Sequence, residues 1–130
     1  MTPQQLLDRL DTLLPGFRSH WNCPQNCFVG DDGSYTLHGV FCELTDFFRH
    51  NHAALPVERI ATLGAFVNKC MAAGDDDSLA NAAATCFLEN IAGDDSDRIL
   101  GRHLTGPARR YWLAWSGRDA ELSDAVDGGT

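Results

Sequence analysis

The segment from Pro56 to Gly93 constrains the fold more than any other part of this chain. Its first half repeats apolar residues every three or four positions, which is the spacing of one face of an α-helix. Its second half is apolar around most of a helical circumference, so we expect that helix to be nearly surrounded by others. An acidic turn at residues 74–77 lies between the halves and predicts an antiparallel pair. The apolar residues are Ile60, Leu63, Phe66, Val67, Cys70 and Met71, then Leu79, Ala83, Cys86, Phe87 and Ile91.

The chain before this pair predicts one helix with a short continuation. Thr2 and Gln5 have the spacing of a capping box, and Pro3 suits the first position of a helix. Pro15 and the glycine after it end that helix. Residues 17–21 are expected to add one turn, and a loop rich in Asn, Gly, Asp and Pro follows.

A second long helix is predicted from Tyr35 or Thr36 to about His50. It ends before Pro56, because the residue that precedes a proline avoids helical geometry. Its apolar stripe consists of Leu37, Val40, Phe41, Leu44, Phe47 and Phe48.

Together these patterns predict an all-α fold, a compact array of five to six helices around a central antiparallel pair that resembles one repeat of a helical solenoid. After that pair, a short helix is expected up to about His103 and a last helix over residues 106–117. The length of 130 residues is sufficient for one domain with its own core, so residues 1–117 are expected to form a single helical domain. Residues 118–130 have little to bury and are predicted to be an acidic, mobile tail.

The charge balance narrows the classes of partner. The chain has 18 acidic and 10 basic residues, which gives a formal net charge of −8. Nucleic acids and anionic membranes repel such a protein, whereas a basic protein partner is attracted to it. Four of the bases are close in sequence, and we expect them to pair with nearby acids: Arg98, Arg102, Arg109 and Arg110.

The sequence also favours one compartment. The first residues lack the basic region of a signal peptide, and no apolar run reaches the roughly 20 residues that a membrane-spanning helix needs. The five cysteines are an odd number, which favours reduced thiols. We therefore expect a cytoplasmic protein.

Three acidic turns are the candidate partner-binding residues. One acid near a helix start is favourable by about 0.3–1 kcal/mol, but these turns contain more acids than capping requires. None has the alternating ligands, the sixth-position glycine and the final glutamate of a calcium-binding loop. Either solvation or attraction of a basic partner accounts for the excess. The residues are Asp31, Asp32, Asp75, Asp76, Asp77, Asp94 and Asp95.

Two groups of residues have side chains that bind metals. One is a row at four-residue spacing on the second long helix, opposite its apolar stripe: His38, Cys42, Asp46 and His50. The other is His20, Cys23 and Cys27, which is similar to half of a zinc site but lacks a second close pair. A solvated polar face and chance clustering are the simpler explanations, and metal binding by either group is the alternative. We predict no metal, no cofactor and no catalytic residue.

Three segments carry a family pattern: Asn-Ala-Ala-Ala-Thr-Cys-Phe-Leu-Glu-Asn at 81–90, Leu-Thr-Gly-Pro at 104–107 and Arg-Tyr-Trp at 110–112. With them, the chain resembles a family of small all-helical bacterial proteins of unknown function, some of which are proposed immunity proteins of toxin systems. Thr105 interrupts the Leu-Gly-Pro of the family pattern. The resemblance spans about residues 37–115 and implies an all-helical fold, and it transfers no catalytic residue.

Our leading functional hypothesis is a non-enzymatic cytoplasmic protein-binding module, specifically an immunity-type protein that neutralises a toxin. Such a protein needs a rigid scaffold and a charge-complementary face, because opposite charges speed association and select the partner. One alternative is a small metal-binding or thiol-dependent enzyme that uses the His and Cys residues. Another is a structural or regulatory protein that self-associates. The oligomeric state and the identity of any toxin stay open.

Overall fold

The computed structural model describes residues 1–74 and 76–117, so the predictions for Asp75 and for the tail at 118–130 lie outside the described residues. The described chain folds into seven helices and contains no strand, which confirms the all-α prediction. None of these helices has the length and apolar content needed to cross a membrane. The helices are α1 (Pro3–Leu13), α2 (Phe17–Trp21), α3 (Leu37–Asn51), α4 (Val57–Ala72), α5 (residues 77–91), α6 (Asp97–Gly101) and α7 (Gly106–Ser116).

The first helices begin where local hydrogen bonding favours it. The Thr2 hydroxyl accepts a hydrogen bond from the Gln5 backbone N–H at 3.1 Å, and the Thr2 N–H donates to Gln5 Oε1 at 2.9 Å. This capping box satisfies two backbone groups that a helix start leaves unpaired. Gly16 then turns the chain between α1 and α2 with a φ of 98°, a left-handed value that favours glycine. Thr36 starts α3 by accepting from the Gly39 N–H at 3.0 Å.

Helices α4 and α5 form the central pair that the sequence predicts. The turn between them ends at Asp76, whose carboxylate accepts a hydrogen bond from the Leu79 N–H at 3.1 Å and so caps α5. Helix α5 packs against α3, α4 and α7, which accounts for its nearly all-apolar surface.

A π-helical turn, Ala84–Leu88, interrupts α5 between the α-helical pieces Asp77–Ala83 and Glu89–Ile91. The Cys86 carbonyl in this turn accepts a hydrogen bond from the Thr45 hydroxyl at 2.6 Å and another from Asn90 Nδ2 at 2.8 Å. Two side chains therefore donate hydrogen bonds to a backbone carbonyl where the π-helical turn interrupts the regular α-helical hydrogen bonds. The sequence analysis did not predict this turn.

Aromatic side chains form the centre of the core. The rings of Phe48 and Phe87 meet edge to face with centroids 6.0 Å apart, and both side chains are fully buried. Phe17 meets Phe47 in the same way at 5.6 Å, which fixes α2 against α3. These pairs join α2, α3 and α5 into one core.

Helices α6 and α7 meet at a close contact. A Cβ atom on Gly101 would lie 2.3 Å from the Trp112 ring, so only glycine allows this approach. The buried Asp97 carboxylate accepts hydrogen bonds from the Gly93 N–H at 2.9 Å and from Trp112 Nε1 at 3.2 Å. Asp97 thus holds the corner between α5, α6 and α7.

Candidate functional site

The acidic turn before α3 contains one structural and one unengaged aspartate. The Asp32 carboxylate accepts hydrogen bonds from the Ser34 hydroxyl at 2.6 Å and the Ser34 N–H at 3.0 Å. These bonds, chiefly the one from the hydroxyl, lower the pKa of Asp32. Asp31 is exposed, and no hydrogen bond or ion pair within the described chain engages its carboxylate.

The turn before α5 also contains one aspartate that is engaged in contacts and one that is not. The Asp76 carboxylate lies 2.8 Å from the Met1 amino group and also caps α5, and the hydrogen bond from Met1 is the main cause that lowers its pKa. Asp77 is exposed and has no such partner among the described residues.

The turn after α5 likewise contains one engaged and one unengaged aspartate. The Asp94 carboxylate lies 2.7 Å from Arg49 Nε, an ion pair that connects α3 to the end of α5. Both side chains are partly exposed, so this pair contributes at most about 1 kcal/mol. Asp95 is exposed and unengaged within the part of the chain that the structure describes.

The structure does not gather these acids into one face. Asp76 and Asp94 lie at opposite ends of α5. A helix of that length spans about 22 Å at 1.5 Å per residue, and the third turn precedes a different helix, α3. Within the described parts of the three acidic turns, the acids that remain available to a partner are Asp31, Asp77 and Asp95, which we call the free turn acids.

Three of the four arginines predicted to pair with nearby acids lie together on a basic surface. Arg98, Arg102 and Arg109 line a cavity of about 300 Å³ beside Trp112. Among the described residues, no ion pair involves Arg102, Arg109 or Arg110, so the expected pairing is not seen for them. The reason is local, since residues 98–110 contain no acid and the carboxylate of the preceding Asp97 points into the core.

The row on α3 does not form one set of ligands. His38 Nδ1 lies 3.1 Å from Cys86 Sγ on α5, which is the distance of the Cys–His pair that a thiol enzyme needs. The neighbouring Cys42 thiol has its pKa raised to about 12, mainly by burial and then by Cys86, so it stays protonated at neutral pH. His50 Nδ1 instead lies 2.7 Å from the Asp46 carbonyl oxygen, one turn back on the same helix.

The second predicted group also separates. Cys23 and Cys27 are exposed in the loop after α2, and they do not join His20 as a set of ligands. His20 faces α3, where its Nε2 lies 2.8 Å from Glu43 Oε2 and 3.3 Å from Asp46 Oδ2. The structure therefore combines one residue from each predicted group with Glu43, which neither group contained.

Packing holds this His20–Glu43–Asp46 cluster in place. The His20 ring stacks on Phe17 and meets the edge of Phe47, with centroids 6.3 and 5.6 Å away. Glu43 and Asp46 are three residues apart on α3 and so lie on the same side of that helix. Their ligand atoms and His20 Nε2 all lie within 4.8 Å of one another, which makes this the group of described residues best placed to hold a metal ion.

Comparison with known proteins identifies the family of this chain. A model described as a domain of unknown function, DUF7674, matches residues 7–117. The chain belongs to the DUF7674 family. Searches of curated proteins and of solved structures found no match.

The DUF7674 match extends beyond the region of resemblance seen in the sequence. It begins within α1 and ends at the glycine that follows α7, so it includes α2 and the loop before α3. His20, Glu43 and Asp46 all lie inside it. The description of the DUF7674 family names no activity.

Proposed function

We propose that this protein is a non-enzymatic, cytoplasmic protein-binding module of the immunity type, which neutralises a toxin by binding it. The observation that carries the proposal is the segregation of charge. Residues 98–110 contain four bases and no acid, which leaves five bases and 13 acids in the remaining described residues. The acids are therefore spread over the described chain outside this basic segment, and their negative field attracts a basic protein partner there.

The free turn acids are the residues that we propose contact a basic toxin. Asp31, Asp77 and Asp95 are exposed and unengaged within the described chain, so a partner can approach them without breaking an internal bond. Asp32, Asp76 and Asp94, in contrast, bind Ser34, Met1 and Arg49 and hold the turns in shape. Among the residues that the structure describes, each turn thus presents one available carboxylate on a fixed backbone.

The scaffold suits this role, because rigid partners lose little conformational freedom on binding. Aromatic pairs fix α2 and α5 against α3, and capped helix starts lie beside the turns that precede α3 and α5. The toxin would therefore meet preformed turns.

Coexpression in bacteria tests the proposal. The protein would be produced together with the product of each reading frame adjacent to its own gene, and growth and complex formation would be measured. We expect one of these products to stop growth alone, and the protein to restore growth and to elute with that product as a stable complex.

Two variants make the test specific. D31N/D77N/D95N, which neutralises the free turn acids, should protect poorly, whereas R102Q/R109Q, which changes the basic cavity, should protect like wild type. Full protection by D31N/D77N/D95N, or growth restored without a complex, would contradict the proposed mode of binding.

A further inference from the structure

The geometry points to a second function for this chain, independent of the proposed toxin binding: His20, Glu43 and Asp46 bind one divalent transition-metal ion, with Zn²⁺ as the representative ion. The imidazole comes from α2 and the two carboxylates come from α3. Mixed imidazole and carboxylate ligands suit ions of this class.

The distances between ligand atoms match a coordination shell. Metal bonds of about 2.0–2.2 Å place neighbouring ligand atoms about 3.0 Å apart at right angles and about 3.4 Å apart in a tetrahedron. His20 Nε2 lies 2.8 Å from Glu43 Oε2 and 3.3 Å from Asp46 Oδ2. Both distances fit two ligands of one ion. The ligand oxygens of Glu43 and Asp46 lie within 4.8 Å of each other, so one ion can contact all three atoms once the carboxylates turn towards it.

A simple hydrogen-bonded pair explains the cluster less well. His20 Nε2 is buried, and neither carboxylate lies in the direction that a ring N–H hydrogen bond requires. A buried polar atom without an aligned partner costs free energy, which a metal ion bound to that nitrogen would recover.

The two neighbouring carboxylates also favour a divalent ion. The Glu43 side chain is only 11% exposed and lies close to a second carboxylate, that of Asp46. Burial of a carboxylate is unfavourable unless its charge is balanced. A protonated His20 balances one of the two negative charges, whereas an ion of charge +2 balances both.

The surroundings resemble those of an open metal site. The Asp46 side chain is about half exposed, so water can reach an ion bound beside it and supply the remaining ligands. Three protein ligands plus water is the arrangement of zinc sites that keep an exchangeable position.

Calorimetric titration of metal-free protein tests this site. The protein would carry C23S/C27S, which removes the two exposed thiols that could bind zinc elsewhere. After chelator treatment and dialysis, ZnCl₂ should bind with a stoichiometry of one ion per chain and raise the melting temperature. CoCl₂ should give a complex without a sulfur-to-cobalt charge-transfer band.

Isosteric variants identify the ligands. In the same background, E43Q and D46N should each weaken Zn²⁺ binding at least tenfold, since loss of an outer-shell partner alone costs about 10–100-fold. E58Q removes an exposed acid outside the cluster and should bind like the parent. H20N should also weaken binding, and a cooperative unfolding curve like that of the metal-free parent checks that the variant is folded.

Three results would overturn the assignment. They are no Zn²⁺ binding by the parent, affinities of E43Q and D46N equal to that of the parent, or a cobalt spectrum dominated by thiolate ligands.

Discussion

Phe87 is among the residues whose removal should damage this protein most. Its side chain is fully buried in the π-helical turn of α5 and meets the Phe48 ring edge to face at 6.0 Å. Truncation to alanine removes that contact and leaves a cavity among helices that cannot collapse freely. We expect F87A to lower the free energy of unfolding by about 3–5 kcal/mol, measured by urea denaturation.

Trp115 provides the matched control for that measurement. It is also a large aromatic residue, but 55% of it is exposed. Truncation of an exposed side chain usually changes stability by no more than about 0.5 kcal/mol, so W115A should unfold like wild type. A loss below about 1 kcal/mol in F87A would mean that the core is centred elsewhere.

The contrast between Phe87 and His20 shows which residues the sequence can place. Phe87 belongs to a local apolar pattern, and the period of that pattern alone predicts its burial. His20 meets Glu43 and Asp46 only because Gly16 turns the chain and Phe17 packs on Phe47. Those contacts join α2 to α3, which follows it after a long loop, so the sequence pattern of neither helix predicts them.

At the scale of elements, helix starts could be predicted and helix irregularity could not. Thr2 and Gln5 reveal the start of α1, because capping uses residues adjacent in sequence. Helix α5 is apolar around most of its circumference, so the shift of register at its π-helical turn does not show in the apolar spacing. Its stabilising hydrogen bond comes from Thr45, which is on another helix.

The contact between α6 and α7 gives a prediction at this scale. In G101A, the added methyl group would lie 2.3 Å from the Trp112 ring, so one helix must shift. Overpacking of this kind typically costs about 1–3 kcal/mol, and we expect a loss of stability in that range by thermal or urea unfolding.

Gly74 is the control for G101A. A methyl group added at Gly74 would meet nothing within 4 Å, and its backbone does not require a left-handed conformation. G74A should therefore be neutral or slightly stabilising, because alanine restricts the unfolded chain more than glycine does. Equal stability of G101A and wild type would show that α6 and α7 pack more loosely than the structure indicates.

For the whole molecule, the sequence predicts the class of fold and the sign of the charge but not its distribution. The net charge of −8 follows from composition. The distribution depends on the tertiary fold. Asp76 and Asp94 form ion pairs with the Met1 amino group and with Arg49, and Asp97 is buried. Arg98, Arg102 and Arg109 line one cavity. The surface open to a partner is therefore smaller than the seven predicted acids suggest.

The remaining prediction concerns how that surface affects association with a toxin recovered as proposed above. Exposed charges act mainly on the association rate, so D31N/D77N/D95N should bind about three- to tenfold more slowly at low salt, with little change in dissociation. The difference should shrink near 0.15 M salt, where screening limits the interaction range to about 8 Å.

The control D8N/D11N/E58Q removes the same charge from α1 and α4, away from the acidic turns, and should slow association less. Stopped-flow measurements at two salt concentrations compare the three proteins. Equal slowing by both variants would show that net charge alone attracts the partner, and unchanged rates in D31N/D77N/D95N would show that these acids serve only solvation.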